Sequence, residues 1–446
     1  MGGRNVVNNV PFKDFNNIFD YFFVFITCLI IIVKIYGLFN LNFLFLFVFF
    51  IYLARNIFLD DRNVSMPRFT WLDAAILFIA VAEGVTYATS LYCENSFYSV
   101  VEISFLTLFF YWIKFNLNHD YQRTMIYLFV TGLGVLFSIE GVLGFLSDYV
   151  QMKEAGFSDF SDFRHIIYFG SPIGSPTGEW ITIYLAFLPF SLIVLFEKFR
   201  KGSRESFLLL IPVMLLLLVP VLSCFRGMYL ALASFALVAS ILFLSYKLSS
   251  MKKVILFNTV FIFSIGLMVV ISPFFKPVLT TIALFQTTSQ VRSYEGRKSL
   301  WKSGVEMIKD HPITGIGANN FPIRYVTYKD QNDDAPFIGR VFNFFLQVTI
   351  EKGLTGLFAC CFLIFAFFFI SHRKTRLLDN NWNQKVVVVL FMSAFAAIIV
   401  RDLTYSSILS NKGAHLLLWL MIAHNAQLPN TKISLQKSRY EGNYHT

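Results

Sequence analysis

An arginine between two apolar segments is the first residue whose type and position indicate chemistry. Arg226 lies in Val221-Leu-Ser-Cys-Phe-Arg-Gly-Met-Tyr-Leu230, where one predicted membrane helix ends and the next begins. An ionisable residue at such a place is costly and is therefore a functional hypothesis. A guanidinium at a helix N-terminus, where backbone N–H groups also favour negative charge, would bind an anion. The structural alternative is an arginine that snorkels from a helix end to the membrane interface.

A second arginine lies on the apolar face of an amphipathic helix predicted for residues 296–310. At ~100° per residue, one stripe of this helix contains Leu300, Trp301, Gly304, Val305, Met307 and Ile308. The opposite face contains Lys298, Lys302, Glu306 and Lys309. Arg297 lies near the middle of the apolar stripe, so it should point to the membrane domain, where a lone charge needs a partner. That partner is either a carboxylate, with Glu140, Glu179 and Asp402 as candidates, or a substrate phosphate.

The segment Asp310-His-Pro-Ile-Thr-Gly-Ile-Gly-Ala-Asn319 follows this helix. Pro312 should stop the helix, and Gly315 and Gly317 permit a tight turn. There is no GxGxxG pattern and no Walker lysine, so we exclude a nucleotide site. His311 is either a helix-end residue or a proton carrier.

Further charged residues lie in or beside predicted spans. Arg401, in Arg401-Asp-Leu-Thr-Tyr405, is either half of an internal ion pair or a third phosphate contact. For Glu83 and Glu102, interhelical hydrogen bonding is favoured over catalysis. We expect neither a metal nor any cofactor.

The composition requires that these residues be positioned by a membrane domain. Of 446 residues, 56% are hydrophobic and 14% are charged, whereas soluble domains carry about 25% charged residues. The net charge of +10 is explained by Lys and Arg in cytoplasmic loops, so nucleic acid is not an expected partner. The predicted fold class is all-α, a polytopic membrane protein.

We predict about twelve spans of about 20 residues each. They lie near 18–36, 39–58, 70–91, 97–115, 124–146, 179–197, 206–223, 226–246, 254–275, 346–370, 385–403 and 412–426. Accordingly, residues 1–275 carry nine spans, 276–341 form a large periplasmic loop with the amphipathic helix, 342–426 carry three spans, and 427–446 are a cytoplasmic tail. Glu351, Lys352 and Gly353 indicate that the tenth span begins as a separate short helix.

Basic residues alternate between successive loops and predict the orientation. With both termini in the cytoplasm, the inner loops collect the Lys and Arg residues, while the short loop from Tyr92 to Ser96 has none. The longer loops, Ser147–Gly178 and Lys276–Val341, are then outside. No internal repeat is evident, which argues against a transporter.

Taken together, the motifs resemble those of the O-antigen polymerase and ligase family. The resemblance is carried by Arg226 in Leu-Ser-Cys-Phe-Arg-Gly, by Arg297 and Trp301, by Asp310-His-Pro-Ile-Thr-Gly-Ile-Gly, and by Asn343-Phe-Phe-Leu-Gln347 with Glu351-Lys-Gly-Leu-Thr-Gly356. These motifs extend over residues 221–356 and do not separate ligases from polymerases.

The resemblance implies a GT-C-like glycosyltransferase of the bacterial inner membrane. Its expected donor is a glycan on undecaprenyl pyrophosphate, and its expected acceptor is a second glycan or lipid A–core. Membrane lipid is an expected partner, and a chain-length regulator is a candidate partner. The resemblance also implies that Arg226 and Arg297 hold the pyrophosphate. Arg401, Trp301, His311 and Asn343 are the further substrate-binding candidates.

One position departs from the family pattern. The ligases carry a His before the Asn of the last motif, where it is thought to activate the acceptor hydroxyl. Here Phe342 precedes Asn343, and a Phe cannot accept a proton. His311, His165, Glu295 and Asp310 are the candidate replacements. This departure favours a polymerase of O-antigen repeat units, and the alternative within the family is the ligase. The alternative outside the glycosyltransferases is a polysaccharide flippase or a small-solute transporter.

Overall fold

A computed structural model shows a helical protein. It describes residues 11–36, 68–156, 181–202, 206–222, 226–249, 251, 258–259, 288–329, 340–378, 381–405 and 412–428. Within these ranges there are twelve α-helices and no strands. They are α1 (Pro11–Tyr36), α2 (Trp71–Ala88), α3 (Cys93–Asn116), α4 (Asp120–Glu154), α5 (Thr182–Arg200), α6 (Leu210–Leu222), α7 (Arg226–Ser245), α8 (Thr288–Asp310), α9 (Phe321–Tyr328), α10 (Phe344–Leu377), α11 (Trp382–Asp402) and α12 (Lys412–Ala426).

Seven helices in the described part are long and apolar enough to cross a membrane, so this is a multi-pass membrane protein. They are α2, α3, α4, α5, α7, α10 and α11, and α6 is a shorter apolar helix. The predicted span 39–58 lies outside the described residues, and of the span 254–275 only residues 258–259 are described. The total of about twelve spans therefore stays a prediction. Two boundaries were wrong: the helix expected to end near 146 continues to Glu154, and the helix expected to end near 370 continues to Leu377. The loop predicted from Ser147 and the inner loop predicted around Lys374 therefore both begin as helix.

The centre of the membrane domain consists of α5, α11 and α12, whose side chains are almost all buried. Around them, α7 packs on α11, and α10 packs on α2. Three ion pairs join helices in the described part of the protein and offset the desolvation of their charges. Lys34 binds Glu102 at 2.5 Å, Lys352 binds Glu83 at 2.5 Å, and Lys114 binds Asp73 at 2.6 Å. The expectation that Glu83 and Glu102 serve interhelical contacts is thereby met in the structure.

The segment that follows the amphipathic helix α8 docks on the turn between α2 and α3. Ser96 Oγ donates to the carbonyl oxygen of Ala318 at 3.0 Å. Asn320 donates to Ser90 Oγ at 2.9 Å and accepts from Asn95 Nδ2 at 3.1 Å. The two loops that the basic-residue pattern assigned to one side of the membrane therefore lie on the same face of the protein.

A kink in α10 interlocks with the loop that follows α8. Gly353 has φ 63° and ψ −164°, which divides α10 into a short first helix and a long second one, as predicted. The backbone N–H groups of Ile316 and Gly317 donate to the carbonyls of Ile350 and Glu351, and that of Leu354 donates to the carbonyl of Pro312. A Cβ atom at Gly353 would lie 2.2 Å from the carbonyl oxygen of Ile313, so the two backbones can approach this closely only with glycine there.

The predicted stripe on α8 agrees with the structure except at one position. Leu300, Gly304 and Met307 are buried, and Lys298 is exposed. Val305, expected on the buried stripe, is exposed. At Gly304 a Cβ atom would lie 2.5 Å from Ile350 Cδ1. The Ile350 side chain of α10 therefore packs directly against the backbone of α8 at this glycine.

Candidate active site

Arg297 lies where the sequence pattern placed it, on the side of α8 that faces the protein. Its guanidinium carbon is 5.1 Å from the ring centre of Phe342, a cation–π contact. Burial lowers the pKa of the Arg297 guanidinium from its ordinary value, and attraction to Tyr405 acts in the opposite direction. Arginine stays protonated under these conditions. Among the described residues, no carboxylate lies within ion-pair distance of Arg297, which leaves a substrate anion as its candidate counter-charge.

Phe342, which directly precedes Asn343, has a strained backbone. Its φ of 54° lies in the left-handed region, which is unfavourable for a bulky side chain and is concentrated at functional sites. Three contacts hold the backbone around it. Gln347 Oε1 accepts from the N–H of Val341 at 3.0 Å, Trp301 Nε1 donates to the carbonyl of Val341 at 2.7 Å, and Asn343 caps α10.

Phe342 also joins Arg297 to a second arginine through a tyrosine. The ring centres of Phe342 and Tyr405 are 5.2 Å apart. The guanidinium carbon of Arg401 is 4.8 Å from the ring centre of Tyr405. Arg297, Phe342, Tyr405 and Arg401 thus form one continuous stack, which we call the arginine–aromatic stack. Arg297 and Arg401 are near enough for their positive charges to repel, and the adjacent Asp402 carboxylate attracts the Arg401 guanidinium. An anion between the two arginines would therefore chiefly stabilise Arg297.

The helix that begins at Arg226 lies against this stack. A Cβ at the next residue, Gly227, would be 3.3 Å from Arg401 Nη1 and 2.3 Å from Thr404 Oγ1. The N-terminus of α7 and the C-terminus of α11 therefore meet at the arginine–aromatic stack. Backbone N–H groups at a helix N-terminus favour an anion, which adds to the positive charge at this place.

Two of the other predicted site residues hold this arrangement together. Asn343 Oδ1 accepts from the N–H of Leu346 at 3.0 Å, and its Nδ2 donates to the carbonyl of Leu403 at 3.3 Å. Asn343 thus links the beginning of α10 to the end of α11. Trp301 lies one turn after Arg297 and fixes the Val341 carbonyl. Both are positioning residues in this structure.

His311 lies away from the stack. It follows the last residue of α8 and lies 14 positions after Arg297, which corresponds to ~21 Å along the helix axis. Asp310 is at the same end and accepts a hydrogen bond from the Tyr328 hydroxyl at 2.5 Å. His165 and the side chain of Glu295 lie outside the described part. Tyr405, whose ring contacts Phe342, carries a phenolic hydroxyl, and the sequence pattern assigned it no role.

Comparison with known proteins agrees with the motifs. Residues 211–361 match the family model described as O-antigen ligase. No curated protein matches the chain significantly. The matched region includes both predicted arginines, the loop after α8 and the kink of α10. The match over residues 211–361 supports the resemblance to the O-antigen ligase and polymerase family that the motifs of residues 221–356 indicate.

Proposed function

We propose that this membrane protein polymerises oligosaccharide repeat units carried on undecaprenyl pyrophosphate. The observation that carries the proposal is the convergence of positive charge at one face of the membrane domain. Arg297 and Arg401 flank two aromatic rings there, and the N-terminus of α7, at which Arg226 lies, meets them. Such a site suits a pyrophosphate whose lipid lies in the membrane and whose glycan extends outward.

In the proposed reaction, a hydroxyl oxygen of the acceptor glycan attacks the anomeric carbon of the donor glycan. The bond between that carbon and the pyrophosphate oxygen breaks, and undecaprenyl pyrophosphate leaves with the electron pair. Guanidinium groups fixed in a water-poor site stabilise the leaving charge. Arginine suits this role because its planar fork binds two phosphate oxygens at once. The arginines supply the charge stabilisation for which other enzymes use a metal ion, so the reaction is proposed to be metal-independent.

The acceptor hydroxyl must also lose its proton, and we assign that step to Tyr405. Its ring packs against Phe342, the position at which the ligases carry a histidine. Tyr405 acts as a phenolate, whose negative charge Arg297 and Arg401 attract. The phenolate takes the hydroxyl proton as the new carbon–oxygen bond forms, becomes a neutral phenol and then releases the proton to water. Placed between Arg297 and Arg401, it lies next to the proposed leaving group.

Phe342 favours the polymerase over the ligase, since the histidine thought to activate lipid A–core in the ligases is missing. A flippase or solute transporter is disfavoured, because the charged site lies at one face and not along a central path. We further propose that this face is periplasmic in the bacterial inner membrane and that both termini are cytoplasmic.

The orientation has a direct test. A reporter that is active only outside the cytoplasm should be active when fused near Asp333 and silent when fused near Lys201 or Lys374, because the last two lie in predicted inner loops. The opposite pattern would place the arginine–aromatic stack in the cytoplasm and contradict the proposal.

The product of a deletion strain tests the reaction. We expect lipid A–core capped with a single repeat unit, because chain extension fails while ligation by another enzyme continues. The measurement is the length distribution of lipopolysaccharide on a gel, with the restored gene as control. Uncapped core together with long polymer on the lipid carrier would identify a ligase. Unchanged glycan would contradict both enzyme assignments.

A further inference from the structure

A pocket of about 350 Å³ opens at the end of the membrane domain opposite to the arginine–aromatic stack. It is lined by Arg68, Phe69, Thr70, Trp71, Ala74, Ile370, Arg373 and Leu428. The helices α2 and α10 form its walls. At their other ends, the turn after α2 meets the segment that follows α8, and α10 begins beside Phe342 and Asn343. The 18 residues of α2 correspond to ~27 Å. That length is close to the roughly 30 Å of the hydrocarbon layer, so the pocket lies at the other membrane boundary.

The charge of this pocket is positive. Arg68 and Arg373 are both exposed, and among the described residues neither forms a hydrogen bond or ion pair through its side chain. Asp73, on the first turn of α2, is neutralised by Lys114 at 2.6 Å and accepts from the N–H of Thr70. Lys114 itself is held by Asp73 and by the backbone carbonyl of Arg68. Among the residues that line the pocket, the two arginine side chains therefore have no anionic partner.

The apolar surface beside the arginines identifies the kind of anion. Phe69 is 69% exposed and Trp71 is 57% exposed, and the Trp71 ring contacts Phe362 on α10 at 6.3 Å. Exposed apolar side chains continue along α2 and α10 toward the middle of the membrane. They are Leu77, Val81, Phe358, Phe365 and Phe369. A free phosphate would make no contact with these apolar side chains. A phospholipid would place its headgroup on the arginines and an acyl chain along α2 and α10.

We propose that this pocket binds an anionic phospholipid, with the headgroup phosphate held by Arg68 and Arg373 and an acyl chain packed against Trp71. The site is independent of the glycan reaction. A lipid bound there would join the ends of α2 and α10, the same pair of helices that supports the kink at Gly353.

Quenching of Trp71 fluorescence by brominated lipid tests the site. The full-length protein is placed in phosphatidylcholine nanodiscs that contain increasing amounts of brominated phosphatidylglycerol, and Trp71→Phe identifies the signal of that residue. We expect Trp71 to be quenched at a lower mole fraction of brominated phosphatidylglycerol than of brominated phosphatidylcholine. The preference should fall by roughly 5-fold in Arg68→Gln or Arg373→Gln and by about 30-fold in the double variant.

Arg376→Gln is the matched control, because Arg376 is an exposed arginine at the same end of α10 but outside the pocket. It should keep the full preference. Equal quenching by the two brominated lipids in the unmodified protein would overturn the proposal. So would displacement of the lipid by millimolar inorganic phosphate, which would indicate a free-anion site. An equal loss in Arg376→Gln would show general surface attraction. The helical circular dichroism of each variant confirms that the comparison is between folded proteins.

Discussion

Arg297→Lys is expected to abolish polymer formation while the protein remains in the membrane at its normal amount. Lysine keeps the charge but loses the planar fork that binds two phosphate oxygens and stacks on Phe342. Removal of one preorganised group that stabilises developing charge typically lowers the rate by about 10²–10³-fold. Arg226→Lys should have the same effect, since Arg226 is assigned to the same pyrophosphate. The measurement is polymer length in cells, normalised to the protein detected in membranes.

Lys298→Ala is the matched control for Arg297→Lys. Lys298 is the next residue on α8, but it is exposed on the opposite face. The polymer should be unchanged in this variant. Because replacement of the half-buried guanidinium can also destabilise the fold, a low amount of Arg297→Lys protein would be a stability effect. Normal polymer at a normal amount of Arg297→Lys protein would show that Arg297 does not hold the pyrophosphate.

Tyr405→Phe is expected to lower the rate of glycan transfer by roughly 10²–10⁴-fold, the range for loss of a general base. The substitution removes only the hydroxyl, so the ring should keep its contacts with Phe342 and Arg401. Donor binding should therefore change little, and the loss should appear in kcat and not in KM for the donor. The measurement is the steady-state rate with purified protein at several pH values.

The double variant Tyr405→Phe with Phe342→His sharpens this test. The two rings are 5.2 Å apart, so an imidazole at 342 would carry its nitrogen atoms close to the missing hydroxyl. Partial recovery of the rate, with a new dependence on pH near 6.5, would support proton transfer at this place. If Tyr405→Phe alone retains the full rate, the assignment of Tyr405 is wrong.

Residues close together in sequence gave the most accurate predictions. The helical periodicity of α8 correctly predicted that the Arg297 side chain faces the protein and that the Lys298 side chain is exposed. Both positions follow from the geometry of a single helix. The short helix before Gly353 was likewise predicted from neighbouring residues, and the structure shows the kink there.

Contacts between distant segments were not predictable in the same way. The loop after α8 reads as a simple turn, and nothing in its residues reveals that its backbone pairs with the kink of α10. Tyr405 was missed because its importance depends on Phe342, which is separated from it by two membrane helices. His311 was considered because histidines commonly carry protons, but the length of α8 places it far from Arg297.

The most direct test of the account is transfer by the purified protein in liposomes. The reaction contains a synthetic repeat unit on undecaprenyl pyrophosphate, a second lipid-linked repeat unit as acceptor, and a metal chelator. We predict that the unmodified protein and Lys298→Ala form glycans of two or more repeat units and release undecaprenyl pyrophosphate, whereas Arg297→Lys forms neither product. Formation of both products by Arg297→Lys at the rate of the unmodified protein would contradict the claim that the arginine–aromatic stack holds the leaving group.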